Sequence, residues 1–143
     1  MIRLKSTAYP RHRWFLVSIS TIFIVTILLI PGNNEILCDR SLTLFLNSFF
    51  TIPSSPWVIF ELLVHVFMFA VLTSLWFWVA AVYYNQYKAL ILSVCIAISL
   101  SITTEIAQYF VSRGSQLLDV FANFIGIAVF VVILRQQENN SVL

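Results

Sequence analysis

Long apolar runs broken by short polar segments set the layout of this chain, with the breaks at 31–40, 53–55, 83–88 and 111–116. The first run, Trp14 to Ile30, has about the length that crosses the hydrocarbon of a bilayer when its flanks help, and predicts a helix over 14–30. Arg3, Lys5, Arg11 and Arg13 precede it, as in a signal peptide. However, Pro31-Gly32-Asn33-Asn34 follows with no small-x-small cleavage pattern, and Leu37 stands before Cys38 where a lipoprotein site needs a small residue. An uncleaved signal anchor is expected. Ser41 to Ile52 is apolar but too short to cross, which predicts an interfacial or re-entrant segment.

Pro53-Ser54-Ser55-Pro56 ends that segment and starts the next helix, because Ser55 can cap open amide groups and Pro56 suits the first helical position. The second helix is expected over 56–83, with Trp76, Trp78, Tyr83, Tyr84 and Tyr87 forming an interface belt near its far end. After a polar turn at 83–88, the third helix is expected over 89–110 and the fourth over 116–134. The polar tail from Arg135 is expected to fray. The predicted fold is all-α: an integral membrane four-helix bundle forming one domain over 1–143, with a short interfacial segment between the first two helices.

Composition agrees, since 60% of the residues are hydrophobic and 10% charged, against about a quarter charged in a soluble domain. No linker, repeat or low-complexity tract calls for a second unit. The net charge of +2 gathers at the amino end, which speaks for membrane topology and against nucleic acid as a partner. Arg3, Lys5, Arg11, Arg13, Lys88 and Arg135 fall on one side of the predicted spans, against Arg40 and Arg113 on the other. By the positive-inside rule, both termini are expected in the cytoplasm of a multi-pass cell-membrane protein. Cys38 and Cys95 should lie at different depths, so no disulfide is expected. Cys95 reads as a small buried apolar residue and Cys38 as an idle thiol.

This topology collects polar groups from three helices at the outer ends of the spans. Glu61 and His65 lie at the start of the second helix, Glu105 and Gln108 at the end of the third, and Asp119 and Asn123 at the start of the fourth. Spacings of four, three and four residues put each pair on one helical face, which Ser101 and Gly126 extend inward. A charge well inside a span costs about 2.5 to 3.5 kcal/mol on insertion scales, so Glu105 and Asp119 should face the bundle interior or a wet cavity. Asp119 also meets the favourable end of a helix dipole, and Arg113 is close enough in sequence to pair with either acid.

Bland alternatives stand beside each functional reading. Asn123, Gln108 and Ser101 could be interhelical hydrogen bonds, Gly126 a packing contact, Arg113 a turn charge and Glu61 an ordinary first-turn acid. His65 has an accessible charge switch near neutral pH, and with Glu105 it resists the bland reading best. His12, among the amino-terminal basic residues, reads as solvated. The chain has no His-Glu-x-x-His, no glycine-rich phosphate loop and no Gly-x-Ser-x-Gly, so no cofactor and no structural metal is expected. His65 with Glu61, Glu105 and Asp119 could hold a divalent cation, with acid/base or hydrogen-bonding chemistry as the alternative.

Glu61-Leu-Leu-Val-His65, Glu105-Ile-Ala-Gln108, Arg113 and Asp119-Val-Phe-Ala-Asn123-Phe-Ile-Gly126 together resemble the VanZ-like membrane protein family in order and spacing. The family more often has Asp where Glu61 stands and often Lys at Leu62. The resemblance covers about Glu61 to Gly126. It implies a small four-helix membrane protein and, for the family's namesake, a contribution to resistance against teicoplanin-type glycopeptides.

The leading expectation is an extracytoplasmic site for an anionic lipid or lipid-linked cell-wall component, with Arg113, Glu61, Gln108 and Asn123 in binding. Glu105 is then the candidate acid or base, His65 its partner, and Asp119 the group orienting one of them. The alternative is a non-catalytic binding, shielding or scaffold protein, partnered by another membrane protein or by its own copies, in which the cluster is interhelical glue. Proton-coupled transport ranks last, because only Lys88 is ionisable on the cytoplasmic halves of the second and third helices.

Overall fold

A computed structural model describes residues 10–29, 56–110 and 117–140. The expected interfacial segment, the Ser55 cap, Cys38 and the 111–116 turn with Arg113 lie outside them. The described residues form α1 (Pro10–Leu29), α2 (Pro56–Tyr83), α3 (Gln86–Phe110) and α4 (Leu117–Asn140), with no strand among them. All four are long and apolar enough to cross a membrane. Even α1, with 20 residues, reaches about 30 Å at a rise of about 1.5 Å per residue.

Three boundaries depart from the apolar runs. α1 starts at Pro10 rather than Trp14, since proline suits the first turn and Arg11-His12-Arg13 carries the helix on beyond the hydrocarbon. α3 starts at Gln86 because Asn85 caps it: the side-chain Oδ1 accepts from the Lys88 amide at 2.9 Å and the Asn85 carbonyl from the Ala89 amide at 2.9 Å. The turn before α3 is therefore only Tyr84-Asn85. α4 continues to Asn140 instead of stopping at Leu134, because Arg135-Gln136-Gln137-Glu138 are good helix formers even in water. An apolar run marks where the lipid ends, which need not be where the helix ends.

α2 is the central helix. It packs most extensively on α4 and next on α3, while α1 rests on α2 and α3. One apolar cluster takes Ile24 and Leu28 from α1, Phe69 and Leu72 from α2, Ala97 from α3 and Ile127 from α4. Outside it the usual polarity is inverted. Phe15, Ile22, Phe23 and Phe67 are more than half exposed, whereas His65, Gln108, Ser101, Asp119 and Asn123 are buried. Lipid is as apolar as leucine, so helices gain little by hiding apolar side chains and more by packing closely and pairing polar groups.

Close packing has a clear source in α3. Ala89, Ser93, Ala97 and Ser101 are buried at a four-residue repeat, and Thr104 and Gln108 continue the stripe. The Ser93 and Thr104 hydroxyls bond back to carbonyls of their own helix, Leu90 for Ser93 and Leu100 and Ser101 for Thr104. The small face looks inward, which turns Cys95 outward. The free thiol of Cys95 is exposed, contrary to the buried reading from sequence.

The bundle has two distinct ends. At one, Trp14 Nε1 donates to the Tyr83 hydroxyl at 3.0 Å, Trp14 meets Trp76 edge to face at 5.9 Å, and the Arg13 guanidinium lies 4.3 Å from the Trp78 ring centre. The expected aromatic belt therefore includes Trp14 from α1. The opposite end gathers the end of α1, the start of α2, the end of α3 and the start of α4, and it holds the polar residues.

Candidate functional site

The site is built where α2 and α4 come closest. Gly126 makes the approach possible: a Cβ there would collide with the Val66 carbonyl oxygen and lie 3.1 Å from the Ala70 amide nitrogen. One helical turn before Gly126, Asn123 stands opposite His65. Its Oδ1 is 2.9 Å from His65 Nδ1, and its Nδ2 donates to Ser101 Oγ on α3 at 2.9 Å. The amide oxygen is only an acceptor, so Nδ1 carries the hydrogen. The chain Ser101, Asn123, His65 thus fixes both the orientation and the tautomer of the imidazole.

The other ring nitrogen is left toward the carboxylates. His65 Nε2 is buried, has no hydrogen-bond partner among the described residues, and lies 3.9 Å from Asp119 Oδ2, beyond hydrogen-bond reach. Glu61, one turn earlier on α2, completes a group with His65 and Asp119 in which one ligand-capable atom from each lies within 4.8 Å of the others. Asp119 is in the first turn of α4, where the positive end of the helix dipole favours a carboxylate. His65 and Asp119 are 2% and 5% exposed and Glu61 is intermediate, so Glu61 is the most exposed member of the group.

Gln108 does a different job. Its Nε2 donates to the Leu28 carbonyl at 2.8 Å, in the last turn of α1. This ties α1 to the polar end of the bundle, while Gln108 Oε1 has no partner among the described residues. Glu105 is half-buried, four residues after Ser101 and three before Gln108, on the same face of α3. It is not part of the Glu61, His65 and Asp119 group.

No family model, no curated protein and no solved structure matches this chain.

Of the residues singled out in the sequence, Glu61, His65, Asp119 and Asn123 come together, with Ser101 behind Asn123. Both four-residue pairs, Glu61/His65 and Asp119/Asn123, face the same point. Two features escaped sequence reading. Nothing in the spacing of Gln108 named the α1 carbonyl as its partner, since a backbone acceptor leaves no mark in sequence. The commitment of Nδ1 to Asn123 was equally hidden, although the small residue at Gly126 was a usable sign of contact between α2 and α4.

Among the described residues, every Lys and Arg lies at the aromatic end: Arg11 and Arg13 on α1, Lys88 on α3 and Arg135 on α4. Glu61, Glu105 and Asp119 belong to the opposite end. A ring nitrogen with a free lone pair beside two carboxylates is a donor set for a cation.

Proposed function

We propose that this is a multi-pass cell-membrane protein with cytoplasmic termini, whose polar site opens at the extracytoplasmic end and engages an anionic, lipid-linked component of the cell envelope. The observation that carries the reading is the unequal use of His65. One ring nitrogen is held by Asn123 and Ser101, and the other is directed at Glu61 and Asp119 without a hydrogen bond among the described residues. A histidine kept only to hold helices together would gain by satisfying both nitrogens. The position of the site near the end of three spans suits a headgroup whose lipid chain lies along the exposed apolar flank of the bundle, as Phe60 and Leu63 on α2 provide. The resemblance of these residues to the VanZ-like family adds to this proposal a lowered susceptibility to teicoplanin-type glycopeptides.

The test is purified protein incubated with lipid-linked cell-wall intermediates, wild type beside His65→Ala and Glu105→Gln, read by mass spectrometry for bound lipid and for product. Retention or conversion by the wild type alone is the expected result; equal behaviour of all three proteins overturns the reading.

A second reading has its own observations. Asn123 to Ser101 and Gln108 to the Leu28 carbonyl are interhelical hydrogen bonds of the kind that hold membrane bundles together. On this reading the protein is a binding, shielding or scaffold protein. Single substitutions then lower its stability and leave any envelope phenotype unchanged at equal protein level.

A further inference from the structure

We propose that Glu61, His65 and Asp119 bind one divalent transition-metal ion of the zinc or manganese class. The inference extends the functional reading above, but it depends on that reading only for what the ion would hold.

The donor set comes first. An imidazole nitrogen with two carboxylates suits borderline divalent ions, whereas an all-oxygen set would favour magnesium or calcium. Two donors each about 2.1 Å from an ion lie about 3.4 Å apart at the tetrahedral angle. The 3.9 Å between His65 Nε2 and Asp119 Oδ2, and the 4.8 Å limit for the whole group, exceed this by little enough for side-chain rotation to close.

Three protein ligands would leave coordination positions open, the arrangement of a catalytic rather than a structural site. Glu61, partly exposed, is the side from which a further ligand would enter.

The independent sign is the state of His65. It is 2% exposed, its Nε2 lacks a hydrogen-bond partner among the described residues, and that nitrogen is aimed at the carboxylates. Its Nδ1–H is given to the Asn123 carbonyl oxygen, which Ser101 holds in turn. Metal-ligating histidines are oriented in this way, with the second ring nitrogen donating to an oxygen that fixes the tautomer and raises the basicity of the first. Glue does not need that tautomer; a ligand does.

A divalent cation held by Glu61, His65 and Asp119 would offer an anionic headgroup a ligand position of opposite charge. A phosphate oxygen could then occupy an open position.

The test uses the full chain in detergent, stripped with chelator and titrated with Zn2+ and separately with Co2+, in the absence of envelope lipid. Binding of one Zn2+ per chain by calorimetry and elemental analysis is expected, with visible Co2+ absorption bands of a nitrogen-containing site. His65→Gln and Asp119→Asn should lose saturable binding. Asn123→Ala should keep the stoichiometry and weaken affinity by about 10- to 100-fold, while Glu138→Gln, at the far end of α4, should match wild type. No saturable binding by the wild type, or unchanged binding in His65→Gln, overturns the proposal. If His65→Gln does not fold, the wild-type stoichiometry and Co2+ bands decide alone. A metal-loaded protein that ignores envelope lipid would sink only the functional reading, and lipid binding by a chain that takes no metal would sink only this one.

Discussion

His65 and Asn123 meet across the seam between α2 and α4 with Nδ1 2.9 Å from Oδ1, and Gly126, one turn beyond Asn123, is what lets the two backbones come that close. A packing residue and a site residue are thus parts of one device. Gly126 sets the separation, Asn123 uses it to hold the imidazole, and Ser101 on α3 holds Asn123. Any change to one member should be felt at the other two.

Asn123→Ala removes both bonds at once and leaves His65 Nδ1 without this acceptor. Polar contacts between membrane helices average about 0.6 kcal/mol by double-mutant cycles, and about 1 to 2 kcal/mol in model peptides. Destabilisation of about 1 kcal/mol is therefore expected, with helix content unchanged, measured by unfolding in mixed micelles. Loss of ligand or metal binding should be larger than the stability change accounts for. Proportionate losses would favour the glue reading.

Gly126→Ala places a methyl group against the Val66 carbonyl and close to the Ala70 amide, neither of which is a flexible side-chain tip. The helices must separate, at a cost of about 1 to 3 kcal/mol as for other overpacked cores. The separation should also uncouple His65 from Asn123. A double-mutant cycle on that pair should give a clear coupling energy in wild type and one near zero in the Gly126→Ala background.

Gln108→Leu roughly keeps the volume but removes the hydrogen bond from Gln108 Nε2 that ties α3 to the Leu28 carbonyl near the end of α1. Since α1 rests on α2 and α3 without packing broadly on α4, it should be the first helix to loosen. Faster hydrogen exchange confined to the last turn of α1 is expected, while the α2 and α4 seam stays protected. Uniform loss of protection would show that Gln108 supports the whole bundle.

Much of this arrangement was legible because lipid leaves coarse marks. An apolar run of about twenty residues has few alternatives to a helix, so all four helices could be placed from sequence. Their ends could not, because Asn85 and the Arg135–Glu138 stretch extend helices by capping and propensity beyond the apolar runs. At the site, the four-residue spacing in Glu61/His65 and Asp119/Asn123 was enough to bring those side chains together once α2 and α4 ran parallel, both starting at the same end. Cys95 was misplaced because its apolar neighbours surround the whole helix. Only the repeat of Ala89, Ser93, Ala97 and Ser101 tells which side faces inward.

The orientation of the bundle decides which leaflet the site can serve, and it rests on charge. Arg13 and Lys88 lie at the aromatic end with Trp14, Trp78 and Tyr83, the end that the proposed topology assigns to the cytoplasm. Asn85, in the two-residue turn between α2 and α3, is exposed at that same end. In a variant with Cys38 and Cys95 replaced by Ser, Asn85→Cys should resist a membrane-impermeant maleimide in intact cells and react once they are permeabilised. The Asn85 side chain caps α3, so the same label placed by Gln86→Cys, which leaves the cap in place, guards against a local effect. Labelling of both positions in intact cells would turn the protein over. The Glu61, His65 and Asp119 group would then face the cytoplasmic leaflet, and its ligand would have to be sought among the lipid-linked precursors made there.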